Sequence, residues 1–327
     1  MFLAHSPPTI RSPYCALSPK GNYTRNMQRY TFSFRAMACD NTIELYAGSH
    51  DEADRAAQAA MAEVRRIEAK YSRYLDDSVV SGLNRAAGVA AVEVDAETAQ
   101  LLDFADACYH QSDGLFDITS GVLRRVWNYK ADRPPTAAAI KPLLPLIGWT
   151  QILRIRAATG QTNVYLSQPG MEIDFGGFGK EYAADRAAAM LLSYGVRHAF
   201  VNLGGDVVVT GPHATGEPWQ LGIRHPRDDR KCLMTLPIAS GAVATSGDYE
   251  RYLDFEGQRY SHILNPKTGE SVNGLQSVTV LAPSCLVAGS MSTIAMLLGP
   301  TAGASWLAHS GARYWAVAPD GSPIHNP

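Results

Sequence analysis

A mixed α/β (α+β) fold built as two interlocked lobes is the architecture to which this chain's patterning points. Three observations carry that reading. Apolar and polar residues alternate between Tyr30 and Tyr46, apolar residues recur at near-helical spacing in an early segment, and beyond Ile152 strand-like and helix-like stretches alternate unevenly. With 327 residues, 46% hydrophobic and 18% charged, the chain can bury a sizeable core, and no low-complexity linker forces a clean cut between lobes.

The elements follow in order. Tyr30 to Tyr46, YTFSFRAMACDNTIELY, reads as two strands around a kink at Met37 to Asp40, because aromatic and β-branched residues alternate with polar ones. Asp51 to Tyr71 carries Ala57, Met61, Val64, Ile67 and Ala69 behind an acidic first turn, which is an amphipathic helix. A second helix runs from Ala96 to Ser112 and stops at the Asp113-Gly114 turn. Lys130 to Pro145, with Pro134, Pro135, Pro142 and Pro145, reads as a surface loop with a short helix, and the lobe boundary is expected near 130–150. After Ile152 come a strand, a hairpin and a strand, a helix from Lys180 to Tyr194, the strand HAFVNLGGDVVVTG, and another strand at Trp219 to His225. The last long helix, Leu286 to Leu298, is apolar on nearly every face and must be buried.

Several classes are disfavoured. A net charge of −2 without basic and aromatic clustering gives no field to gather nucleic acid or anionic membrane. The five cysteines stand far apart with no C-x-x-C pair, so neither a zinc knuckle nor a disulfide framework is suggested and a reducing compartment fits best. No apolar run is long enough to span a membrane and no signal-peptide pattern opens the chain, so the expected location is cytoplasmic. Residues 1–27, rich in proline and without periodicity, read as a flexible leader, with Met27 as an alternative start to Met1.

The most informative segment lies between Glu172 and Asp185, where a strand is expected to run into Gly176, Gly177 and Gly179 and then a helix. Backbone N–H groups at such a helix start suit phosphate, and Lys180 would add a full charge. Neither standard nucleotide fingerprint fits, since Tyr182 takes the third glycine place of G-x-G-x-x-G and Glu181 stands where a P-loop has Ser or Thr. A turn that only lets strand and helix pack accounts for this segment equally well.

The IDFGGFGKEYAAD stretch from Ile173 nevertheless resembles one signature of the FAD:protein FMN transferase (ApbE) family. Further stretches resemble the others in the right order: the Met37 turn, YSRYLDDSVVSGLN from Tyr71, GLFDITSGVLRRVW from Gly114, FVNLGGDVVVTG from Phe200, and ATSGDYERYLDFEGQRYSHILNPKTG and VTVLAPSCLVAGSMSTIAMLLG near the end. The match spans Phe34 to Gly299 and makes residues 28–327 the flavin transferase domain.

The resemblance implies FAD in a cleft between the lobes, as substrate, with its pyrophosphate held by glycine-rich backbone and Mg2+. It implies transfer of the FMN half to a Thr or Ser hydroxyl of an acceptor flavoprotein, with AMP released; oligomeric state is left open. Met37 and Tyr74 match positions that contact the flavin nucleotide, and ordinary core is their plainer role. Leu115, Phe116 and Asp117 match another contact stretch, and a cap on the turn into Thr119 is the alternative role for Asp117. Asp174, Gly176, Lys180, Tyr182 and Asp185 fall in the glycine turn and its helix. Gly205, Ser246 and Ile263 fall in later signatures, and turn chemistry explains the Thr245–Asp248 segment almost as well. His262 is the expected general base, since an imidazole titrating near neutrality can take the acceptor hydroxyl's proton.

The metal signature is broken. The family pattern places an Asp one helical turn before a Thr, with a backbone carbonyl in the glycine turn as a further ligand; here these align with Gly289, Thr293 and Gly179. Asp174, Ser290 and Ser292 are the candidates to substitute for the lost acid, and restoring it with Gly289→Asp is expected to raise activity or metal affinity. Two other readings stay open: an FAD pyrophosphatase that uses water as acceptor, and a flavin-binding protein without chemistry.

Overall fold

The computed structural model describes residues 27–157 and 160–325, so nearly all of the expected leader lies outside the described residues. The chain opens with the antiparallel pair β1 (Gln28–Ala36) and β2 (Cys39–Ala47). Met37 and Ala38 connect them with φ of 54° and 60°, so the expected kink is a tight hairpin turn whose left-handed residues match the twist of the strands. Helix α1 (His50–Tyr71) starts where Ser49 accepts a hydrogen bond from the Glu52 N–H and carries Asp51 and Glu52 in its first turn. Its apolar stripe, including Ala57, Met61, Val64 and Ile67, is buried. A short α2 (Val79–Arg85) and β3 (Val92–Val94) lead to α3 (Ala96–Gln111), capped by Asp95 and ended at Asp113 and Gly114, both with positive φ.

Residues 130–150 contain only α4 (Ala137–Ile140) and two short 3-10 turns. This region is tied to a later one, because the Trp127 indole N–H donates to the Gly269 carbonyl at 2.8 Å. Strands β4 (Ile152–Arg156) and β5 (Thr162–Leu166) join β3 in a small sheet ordered β3-β5-β4. Helix α5 (Gly179–Ser193) then precedes β6 (Ala199–Leu203) and β7 (Asp206–Val209).

Two expectations are corrected here. HAFVNLGGDVVVTG is a hairpin rather than one strand, because Gly204 and Gly205 take φ of 58° and 104° and reverse the chain. The segment before the glycine turn forms no strand either. The Asn84 side chain donates to the Ile173 carbonyl at 3.1 Å and accepts from its N–H at 2.8 Å, occupying the groups a neighbouring strand would need.

Beyond β7 lie the ribbon β8 (Trp219–His225) and β9 (Asp228–Ile238), then β10 (Gly241–Gly247), the small pair β11 (Tyr252–Phe255) and β12 (Gln258–Ser261), and β13 (Ser277–Ala282). Helices α6 (Cys285–Leu298) and α7 (Pro300–Ser310) and strands β14 (Arg313–Val317) and β15 (Pro323–His325) complete the described chain. The main sheet has eight antiparallel strands in the order β1-β2-β6-β7-β10-β13-β14-β15.

Its two faces are sorted by the period-two rule. Val208, Ala242 and Ala244 turn toward the core shared with α1, α5 and α6, whereas Val207, Val209 and Val243 turn to the other face, where Trp219, Leu221, Leu236 and Ile238 of the β8–β9 ribbon cover them. The first cluster runs from Ala36 to Ala316 and binds most of the chain into one core. The mixed α/β expectation is therefore met, with the α6 helix buried as its composition requires.

Candidate active site

The glycine turn rests on an aromatic floor. Phe175 and Phe178 are fully buried, their rings 5.0 Å apart, and Phe116 stacks on Phe178 at 6.3 Å. Above them Gly176 and Gly177 are exposed, and any Cβ on Gly177 would lie 3.3 Å from the Phe116 ring, so the close approach of backbone to ring favours glycine. Gly179 opens α5, and a Cβ there would lie 3.7 Å from Phe175 Cβ, an ordinary contact, so glycine is not sterically required.

Asp174 is occupied within the fold. Its Oδ1 accepts the Gly176 N–H at 2.9 Å and its Oδ2 is paired with Arg73. Arg73 in turn lies 5.0 Å over the Tyr74 ring and donates to the Tyr74 hydroxyl. Tyr74 itself is 71% exposed, which removes the core reading for that residue. Met37 is half-buried in the β1–β2 turn, its N–H donating to Glu68 at 2.7 Å.

Lys180 reaches the β6–β7 turn. Its ammonium lies 2.7 Å from the carboxylate of Asp206, a buried residue directly after Gly205. Burial alone would lower the Lys180 pKa, but the charges of Asp206 and Glu181 prevail and hold it above the usual lysine range. Gly204 is pinned by φ and by space, since a Cβ would lie 2.8 Å from Cys39 Sγ.

Helices α5 and α6 pack together in a fixed register. Asp185 Oδ1 accepts the Cys285 N–H at 2.7 Å and Oδ2 the Leu286 N–H at 2.9 Å, so one carboxylate closes two of the free donors at the α6 N-terminus. One turn back along α5 and one turn on along α6, Glu181 meets Gly289: a Cβ on Gly289 would lie 2.6 Å from Glu181 Cγ and 2.7 Å from its Oε1. Glu181 is half-buried as a residue, yet its Oε2 is sealed from solvent and has no hydrogen-bond partner among the described residues. Burial, then the nearby charge of Asp206, push its carboxyl up.

A second turn along α6, the Thr293 hydroxyl lies 2.8 Å from that of Ser246 at the end of β10, and Ser246 is also 2.8 Å from the Ser292 hydroxyl. Ser292 donates to the Gly289 carbonyl at 2.9 Å. With Asp174 paired to Arg73 and Ser292 bonded inside its own helix, both are engaged where a replacement metal ligand was expected of them. Among the described residues no three His, Cys, Asp or Glu side chains converge as a metal cage. Magnesium does not need one, because one or two carboxylates with water and substrate phosphates satisfy its octahedron.

His262 directly follows β12 and is itself exposed. Its ring keeps an open side, but the protein packed around it and the positive charges of Arg251 and Lys180 lower its pKa to about 4. Ile263 beside it is buried.

Other expected contacts are held inside the fold. Asp117 Oδ1 accepts from the Thr119 N–H and hydroxyl at 2.8 and 2.6 Å, and Oδ2 from the Trp149 N–H at 2.9 Å, which is the capping role. The Tyr182 hydroxyl donates to Glu97 at 2.8 Å, within a charged group that includes Lys70 and Arg66. Phe116 is buried and Leu115 half-buried.

The ApbE family profile matches residues 37–316. The chain belongs to the ApbE family. An FAD:protein FMN transferase of Klebsiella pneumoniae (strain 342) is 34% identical over 282 residues, covering 85% of this chain and 85% of its own. One of Salmonella typhimurium is 31% identical over 234 residues, 70% of this chain and 67% of its own. Among solved structures, the ApbE protein of Thermotoga maritima superposes with a TM-score of 0.81 at 33% identity, covering 91% of this chain and 97% of that one. The apo flavinyl transferase ApbE of Pseudomonas stutzeri gives 0.79 at 25% identity, covering 93% and 95%.

Within this ApbE chain, one residue of chemical interest escaped the sequence reading. Glu181 drew notice only as a mismatch to the P-loop pattern. The signal that could have found it was present: an acid stands four residues before Asp185, on the helix face that meets Gly289.

Proposed function

We propose that this chain takes FAD as substrate, breaks its pyrophosphate and transfers the FMN half to a Thr or Ser hydroxyl of an acceptor flavoprotein. Family membership supports the reading, and one observation in the structure carries it furthest. An exposed glycine turn runs directly into the first turn of α5, where Lys180 stands. Backbone N–H groups and a cation at a helix start suit a pyrophosphate.

In this reading the amides of the turn and Lys180 hold the phosphates. The acceptor oxygen bonds to the FMN phosphorus, the bridging P–O bond to AMP breaks, and the hydroxyl proton passes to a ring nitrogen of His262. A lowered pKa keeps that nitrogen unprotonated and ready at neutral pH. Tyr74, exposed beside the turn, offers a face for the flavin. Thr293 and the Gly179 carbonyl would hold Mg2+, and the hard oxygen donors present fit that ion. When bound, magnesium supplies charge neutralisation on the pyrophosphate and the departing AMP.

The test is incubation of the protein with FAD, Mg2+ and a small acceptor flavoprotein, followed by intact-mass measurement and chromatography for AMP. Covalent FMN with equimolar AMP is the expected result. Free FMN with AMP and no adduct would replace transfer by hydrolysis, and intact FAD bound stoichiometrically would make the chain a binder.

A further inference from the structure

We propose that Glu181 is the carboxylate ligand of the metal site, reaching from α5 into the space that Gly289 leaves open on α6. The inference rests on the metal-assisted reading above and names the residue that completes it. Glycine in a helix interior is unfavourable relative to alanine, so a buried glycine within α6 calls for a reason. The reason is steric: Glu181 Cγ and Oε1 already stand 2.6 and 2.7 Å from where a Cβ on residue 289 would be. The carboxylate of Glu181 thus occupies the position from which an acidic side chain on Gly289 would project. The acid has not vanished from the site but has changed helices.

Three further facts suit a ligand. Glu181 Oε2 is closed to water and has no hydrogen-bond partner among the described residues, a costly arrangement unless something binds there. Lys180, the adjacent cation, is in direct contact with Asp206 at 2.7 Å. Asp185 fixes the register through two amide hydrogen bonds to α6, so Glu181 is held against Gly289 one turn from Thr293. Glu181 and Thr293 with substrate phosphates and water form a set that suits Mg2+ or Mn2+.

The structure also reverses the expectation for Gly289→Asp. That change alone drives a Cβ into Glu181 and sets two carboxylates side by side, so it should lower stability and fail to improve metal binding. The pair must be exchanged together. Mn2+ binding, followed by the loss of its free electron paramagnetic resonance signal in the presence of FAD, gives a readout independent of turnover. Glu181→Gln should raise the Mn2+ dissociation constant at least tenfold while leaving metal-free FAD affinity within about threefold. The double variant Glu181→Gly/Gly289→Asp should return Mn2+ affinity to within about threefold of the parent. Circular dichroism and the thermal midpoint certify that each variant is folded, and Glu181→Asp, which keeps the charge one methylene short, replaces Glu181→Gln if the latter is not. Parental Mn2+ affinity in the folded Glu181→Gln or Glu181→Asp protein overturns the proposal. The function fails separately: a parent that binds Mn2+ through Glu181 but yields neither FMN adduct nor AMP refutes transfer and leaves the metal site standing.

Discussion

Replacing Asp185 with alanine isolates the interaction that sets the α5–α6 register. Its carboxylate accepts two N–H groups at 2.7 and 2.9 Å, and the Cys285 donor belongs to a fully buried residue. Leaving a buried donor unsatisfied costs about 1–3 kcal/mol, so deleting both bonds sets a range of roughly 2–6 kcal/mol. Burial pushes the Asp185 carboxyl up, which means the charged form is held at some desolvation cost and part of the gain is already offset. The lower half of the range follows, about 3 kcal/mol. For a chain of this size that is a fall in melting temperature of about 4–5 °C. The assay is urea unfolding at pH 7, where the midpoint should drop with an unchanged slope. The pH dependence has a definite sign. A folded pKa above the unfolded one means the folded state holds more protons between the two values, so this group's contribution grows as pH falls through that window. The gap between parent and Asp185→Asn should therefore not close in mild acid. A loss under 1 kcal/mol at pH 7, or a gap that closes on acidification, would refute the reasoning.

Three other outcomes are expected. His262→Gln should lower FMN transfer by about 10²–10⁴-fold with FAD affinity retained; because the free imidazole is the active form, the parent's rate should hold as pH falls below 6 and decline only toward its lowered pKa of about 4, as a pH–rate profile would record. Lys180→Met should cost about 3 kcal/mol by stranding the buried Asp206 charge, and Lys180→Met/Asp206→Asn should recover much of it in chemical denaturation, while FAD binding stays weak in both. Tyr74→Ala should leave stability within about 0.5 kcal/mol, since the ring is exposed, yet weaken FAD by roughly 2–10-fold in a fluorescence titration.

Legibility in the sequence followed the range over which each interaction acts. The strand pair read between Tyr30 and Tyr46 and helices α1 and α3 were readable because alternation, the acidic first turn of α1 and the stop at Asp113-Gly114 are local chemistry. The extended segment before the glycine turn was misread because its partner is the side chain of Asn84, 89 positions away, which satisfies the backbone without a neighbouring strand. The β6–β7 hairpin was missed for a different reason: flanking runs of valine and phenylalanine outweighed two glycines whose positive φ turns the chain. At the candidate site, Lys180 and Thr293 stood out through motif spacing, but motif spacing cannot say which groups are already engaged. Asp174 and Asp185 look like free acids in the sequence, and each has its oxygens occupied by donors of the chain, as has Asp117 in the capping role already open to it.

The reading of the chain as a flavin binder without chemistry drew its force from Gly289, on the premise that a missing acid at one position is a missing acid in the site. That premise treats ligands as properties of positions, whereas an ion responds only to where oxygens lie. Helices that pack side by side present facing positions whose side chains compete for one volume, so an acid on either can fill it but not an acid on both. The contact of Glu181 with Gly289 is such a volume, and its occupant is a carboxylate with a free oxygen. In the packing of α5 against α6, Gly289 is what allows Glu181 its place.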